Sequence, residues 1–172
     1  SDASLANIFD GLDLNGLLGE GNAAAYIGDA WYGSLDEIDE YNGYWVQSNL
    51  DQGLEFCGLL SSNLTYTLHD ANNLISYPFA ASQTISDALP NNVEDEIFAI
   101  VGEGVASINL GGFWAGSLNG FDGGSGYWFA RPSGVADISF EYNAPSAGDA
   151  RLLTSELPEV PEAYTYTQST QQ

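Results

Sequence analysis

The sequence predicts a mainly β fold of two tandem, pseudo-symmetric repeats, sandwich- or barrel-like, each with one short helix, followed by an extended C-terminal tail. Three observations predict it. "GEGNAAAYIGDAWYGSLDEIDEYNGYWV" (Gly19–Val46) returns, without a gap, 83 positions later as "GEGVASINLGGFWAGSLNGFDGGSGYWF" (Gly102–Phe129), and 13 of its 28 positions are identical. Such self-similarity marks a duplicated structural unit. Between the repeated motifs, short runs alternate apolar and polar residues and end at glycine-rich turns, the pattern of strands. Hydrophobic residues make up 44% of the 172, enough to build a packed core.

The elements follow in order. "SLANIF" (Ser4–Phe9) precedes the first copy and "TISDAL" (Thr84–Leu89) the second; Ser4 and Thr84 read as helix N-caps, and Pro90 ends the second helix. Strands are expected at "LLGEG/IVGEG", "AAAYI/VASIN", "AWYGSL/FWAGSL" and "GYWV/GYWF", then a closing strand at "LEF" (Leu54–Phe56) and "DISFEY" (Asp137–Tyr142). Asn-Gly pairs at Asn42 and Asn119 are turn signals. "NLISYPF" (Asn73–Phe79) reads as a buried strand ahead of the second copy, and no counterpart precedes the first. Residues 1–60 and 61–142 therefore form the two units. Residues 143–172 hold a Pro-containing linker and a β-prone segment around Tyr164 and Tyr166.

Charge narrows the partners. Twenty-four acidic residues face two basic ones, Arg131 and Arg151, for a net charge of −22. A phosphate backbone is repelled by such a surface, as is an anionic membrane. No apolar run is long enough to span a bilayer. Self-repulsion of this size suits a salty exterior, where ions screen it, or a chain with bound cations. The chain opens "SDASLANIF" without Met and reads as a processed product or an excised piece. Cys57, in "LEFCGLL", reads as a buried small hydrophobe.

Candidate sites divide between chemistry and architecture. The acidic loops with Asp36, Glu37, Asp39 and Glu40, and with Glu94 and Asp95, supply hard oxygen ligands of the kind calcium takes, without EF-hand spacing. Solvated acidic loops are the alternative. Trp31, Trp45, Trp114 and Trp128 are either core residues or sugar-stacking platforms; strand alternation sets Tyr44 and Tyr127 opposite Trp45 and Trp128, so one of each pair is offered to a glycan or a protein. Glu20 and Glu103 recur between glycines. A catalytic acid is seldom needed twice, so both are expected to accept backbone N–H groups. One His, one Cys and no Lys leave no nucleophile constellation: a triad would have to use His69, with no elbow motif beside it.

The succession "NLISYPF", "AIVGEG", "WAGSL", "GYWF", followed by Tyr142-Asn143-Ala144-Pro145 and "QSTQQ" (Gln168–Gln172), resembles a repeat module of large secreted or surface proteins of marine bacteria and of structural proteins of marine phages, including cyanophages. The resemblance covers nearly the whole chain. It implies an extracellular or virion setting and assigns no catalytic activity. The expectation is a noncatalytic structural module that self-associates or joins other subunits of a surface appendage or virion; a carbohydrate-binding adhesin of the same fold is the rival. The tail would complete the first unit of a neighbouring copy, fold back onto its own, or pair with a partner domain.

Overall fold

The computed structural model describes residues 2–53 and 64–146. The expected closing strand at Leu54–Phe56, Cys57, and the tail with Tyr164 and Tyr166 lie outside the described residues. Strand outweighs helix, 39% against 9%, so the fold is mainly β, with several antiparallel sheets and short helices.

The first unit contains α1 (Leu5–Ile8), β1 (Leu14–Leu18), β2 (Ala23–Ile27), β3 (Ala30–Gly33) and β4 (Trp45–Ser48), the strands forming one sheet in the order β3-β2-β1-β4. The second contains β5 (Tyr66–Leu68), β6 (Asn72–Ser76), β7 (Gln83–Thr84), α2 (Ile85–Ala88), α3 (Asn91–Glu94), β8 (Ala99–Gly102), β9 (Val105–Asn109), β10 (Trp114–Gly116), β11 (Gly120–Phe121), β12 (Gly126–Ala130) and β13 (Ile138–Phe140). Its main sheet runs β10-β9-β8-β12-β6, while β7 pairs with β11 and β5 with β13.

The repeat in sequence is a repeat in register. Leu17 pairs with Ala24 on one side and Val46 on the other; 83 residues later, Ile100 pairs with Ser107 and Phe129. Tyr26 opposite Trp31 recurs as Asn109 opposite Trp114. Even the isolated bridge between Ser4 and Glu37 recurs, as Thr84 opposite Gly120 in the β7–β11 pair.

The motif W-x-G-S-L has a physical cause in each copy. A Cβ on Gly33 would sit 2.1 Å from the carbonyl oxygen of Ala23, and one on Gly116 would sit 2.1 Å from that of Ala106, so only glycine lets β3 and β10 approach so closely. The next residue closes the bend: the Ser34 hydroxyl accepts from Ala23 N at 3.3 Å and Ser117 from Ala106 N at 3.2 Å. The same alanine carbonyls accept from the backbone N–H of Ser34 and Leu35, and of Ser117 and Leu118. Thus turned, Leu35 and Leu118 drop into the two cores, at 4% and 5% exposure.

Each unit has its own core. Leu5, Phe9, Leu14, Leu17 and Leu35 pack together in the first; their counterparts Ile85, Leu89, Ile97, Ile100 and Leu118 belong to the second. The second core is larger because β5 and β13, with Tyr77 after β6 and Tyr142 after β13, add aromatic rings. Tyr142 stands edge-on to Tyr66, Tyr77 and Phe121 at centroid distances of 5.2, 5.4 and 5.7 Å. Ring edges against ring faces are a favoured packing.

The second unit departs from one helix per unit. Three residues more than in the first separate its helix from the repeated segment. Pro90, with no N–H to donate, stops α2 and starts α3. Thr84 caps α2, its hydroxyl accepting from Asp87 N, whereas Ser4 makes no side-chain cap to α1. The other departure is β6, which extends the second sheet beyond β12 and has no counterpart beside β4 among the described residues.

Candidate functional site

At each GYW motif the tyrosine faces inward and the tryptophan outward. Tyr127 is 3% exposed, and its hydroxyl accepts from Asp122 N at 2.8 Å. Tyr44, half-buried, does the same for Asp39 N at 2.9 Å. Both phenols hold the turn before their own strand; the Tyr127 ring is buried, while the Tyr44 ring stays partly exposed. Trp45 and Trp128 are half-buried on the outer sheet faces, opposite Leu18 and Val101.

The carboxylates expected to bind calcium do not converge: among the described residues no three His, Cys, Asp or Glu side chains are placed to hold one ion. Asp39 instead accepts from Tyr41 N in a tight turn. Asp36 and Glu40 contribute their main-chain carbonyls, to Leu5 N and the Ser76 hydroxyl, and Glu37 lies in the bridge to Ser4. Glu94, 7% exposed, takes the indole N–H of Trp114 and the Ser86 hydroxyl. Asp95 is the C-cap of α3.

Glu20 does accept a backbone N–H, but across to the other unit: Oε2 takes Leu74 N of β6 at 2.7 Å, while Oε1 pairs with His69. With Nδ1 of His69 against the Asp70 carbonyl, both ring nitrogens face acceptors, and these bonds raise the imidazole pKa, Glu20 contributing most. Its repeat counterpart Glu103 is exposed.

Arg131 carries structural weight that its sequence context does not announce. It is 2% exposed and donates to three carbonyls: Leu68 at 2.7 Å and His69 at 3.0 Å from Nη1, and Ala136 at 2.9 Å from Nη2. Its signal was rarity, as one of two cations in an acidic chain. A buried guanidinium here joins β5 to the loop leading into β13.

Two clefts remain. The first, about 440 Å³, lies beside α1, with Phe9, Tyr26 and Trp31 as aromatic walls and Asp10, Asp29 and Asp36 at its edge. It corresponds to the place α3 fills in the second unit, where Glu94 bonds Ser86, Asn109 and Trp114. Their counterparts Ala6, Tyr26 and Trp31 line the cleft instead. Trp31 and Trp114 thus hold equivalent, half-buried positions, with rings against the first and a carboxylate against the second. The second cleft, about 430 Å³, lies between β4 and the turns around Glu103 and Ser125.

Comparison with protein-family models, curated proteins and solved structures returns no match.

Proposed function

We propose that the chain is a noncatalytic structural module of an extracellular appendage or virion, joined to neighbouring copies or subunits through its sheet faces. One observation carries this reading. None of the nine strands in the two main sheets holds a charged residue, although the chain has 24 acidic ones. The outer faces instead present Leu18, Ile27 and Tyr32 in the first unit and Val101 and Ile108 in the second, each at least 39% exposed. Exposed apolar side chains on uncharged sheet faces of an otherwise highly charged protein point to an interaction site. The loops carry the charge that keeps copies apart in low salt, and screening brings the faces together. The buried polar groups serve architecture: Glu94, Arg131 and the two tyrosine hydroxyls each hold elements in place. The acidic, lysine-free composition supports the extracellular setting, as does the resemblance to marine surface and virion modules. Sedimentation of the intact chain in molar salt tests the reading: wild type forms assemblies, and Ile108→Glu abolishes them with an unchanged fold. Equal behaviour of the two proteins refutes it.

The first cleft favours a second reading, a carbohydrate-binding adhesin. Trp31 and Tyr26, with ring centroids 5.0 Å apart, stand beside three carboxylates able to accept sugar hydroxyls. On a glycan array, Trp31→Ala would then lose binding at least tenfold; no binding by wild type discards this alternative.

A further inference from the structure

The two units meet at equivalent glycines. A Cβ on Gly126 would lie 2.8 Å from Cα of Gly43, so the chains cross there with no room for side chains. On one side of this crossing lies β6. Its inner edge pairs with β12. Its outer edge is met by the first unit: Gly43 N donates to Leu74 O and Ser76 N to Tyr41 O, both at 3.0 Å, and the Glu20 carboxylate takes Leu74 N.

Exchanging each residue for its repeat counterpart defines a second seat across the crossing. It would lie between β4 (for β12) and Gly124–Gly126 (for Tyr41–Gly43), with Glu103 in the role of Glu20. The second cleft is lined by these groups: Tyr44, Trp45 and Val46 on one side, Gly124–Gly126 on the other, and Glu103. The exposure of its wall agrees. Val46 is 44% exposed where its counterpart Phe129 is fully buried, and Tyr44 is half-buried where Tyr127 is buried.

We infer that this cleft is the seat of a fifth strand of the first unit's sheet, and that the Tyr164–Gln172 segment of the same chain fills it. "YTYTQSTQQ" alternates, carries no charge, and would set Tyr164 and Tyr166 over Tyr44 and Val46. Residues 147–163 tether it. Extended, they cover roughly 55 Å, more than the diameter of about 40 Å expected for a body of this size. A tether of this length holds the segment at an effective concentration on the order of millimolar, whereas a second copy must first overcome repulsion between two chains of charge −22. Residues Leu54–Phe56 align with the region of β13, whose partner is β5 rather than β12, so the repeat assigns them a different place.

Tyr77 N donates to Ser125 O, and antiparallel alternation then turns the amides of Tyr127 and Phe129 toward β6. By the repeat, the amides of Tyr44 and Val46 face the seat. Amide hydrogen exchange of the intact, dilute chain reads its occupancy, independently of whether the sheet faces assemble. Expected is strong protection at Tyr44 and Val46 that falls at least a hundredfold in Tyr166→Pro, with Phe129 unchanged. Fast exchange in the wild-type chain overturns the inference, as does protection that survives Tyr166→Pro. Protection that appears only as concentration rises assigns the strand to a neighbouring copy and overturns the own-chain assignment.

Discussion

Gly33 and Gly116 are the residues on which the repeat depends most directly. In each copy the Cβ of any other residue would meet a carbonyl oxygen at 2.1 Å and a Cα at 2.7 Å, both backbone, so nothing nearby can yield without separating two paired strands. Gly116→Ala is expected to cost about 2–4 kcal/mol in urea unfolding. Gly134→Ala is the contrast: it has positive φ (+79°) with open space around it, and is expected to cost only about 1 kcal/mol of conformational strain. Equal costs would mean that close approach is not what selects glycine in the motif. The motif itself was legible in the sequence because it occurs twice. Arg131 and the Glu94–Trp114 bond were not, because both join residues distant in sequence, and neither has a counterpart in the other copy to announce it.

Elements were legible wherever the repeat carried them. The strands common to both units, α1 and α2 follow from aligned motifs, and β6 from its apolar run. The short α3 was not legible, because it occupies the insertion between the units, nor were β5 and the two-residue β7 and β11, too short to show a period. The faces of the GYW strands were read only as alternating. Which face is inward depends on the Tyr44 and Tyr127 hydroxyls reaching back to their own turns, a contact that period-2 patterning does not encode. Edge satisfaction was also invisible. The outer edge of β6 ends on a carboxylate, Glu20, that shares its charge with His69. Because this pairing raises the His69 pKa, its contribution to stability is fully present below the ordinary histidine value of 6.5 and is lost as pH rises through the folded value. Many other carboxylates titrate in this chain, so the difference between wild type and Glu20→Gln isolates the pair. That difference is expected to be larger at pH 5.5 than at pH 8.5 in thermal melts. A pH-independent difference would mean that Glu20 acts only through Leu74.

At the scale of the molecule, charge and apolarity are separated. Acidic side chains occupy turns, helices and tail, and the strands of both main sheets carry none. The composition disclosed the charge but not this partition, which emerges only once the strands are placed. On the proposed reading, a surface so divided would be repelled from its copies by its rims and attracted to them by its faces, with ionic strength setting the balance. If screening sets this balance, calcium is expected to act as magnesium does at equal ionic strength. The most direct measurement is analytical ultracentrifugation of the intact chain across a salt series, with calcium and magnesium chloride matched to each ionic strength. Monomers are expected in low salt, with a rise to ordered assemblies that follows ionic strength alone. A chain that stays monomeric at high concentration throughout the series would contradict the proposed reading.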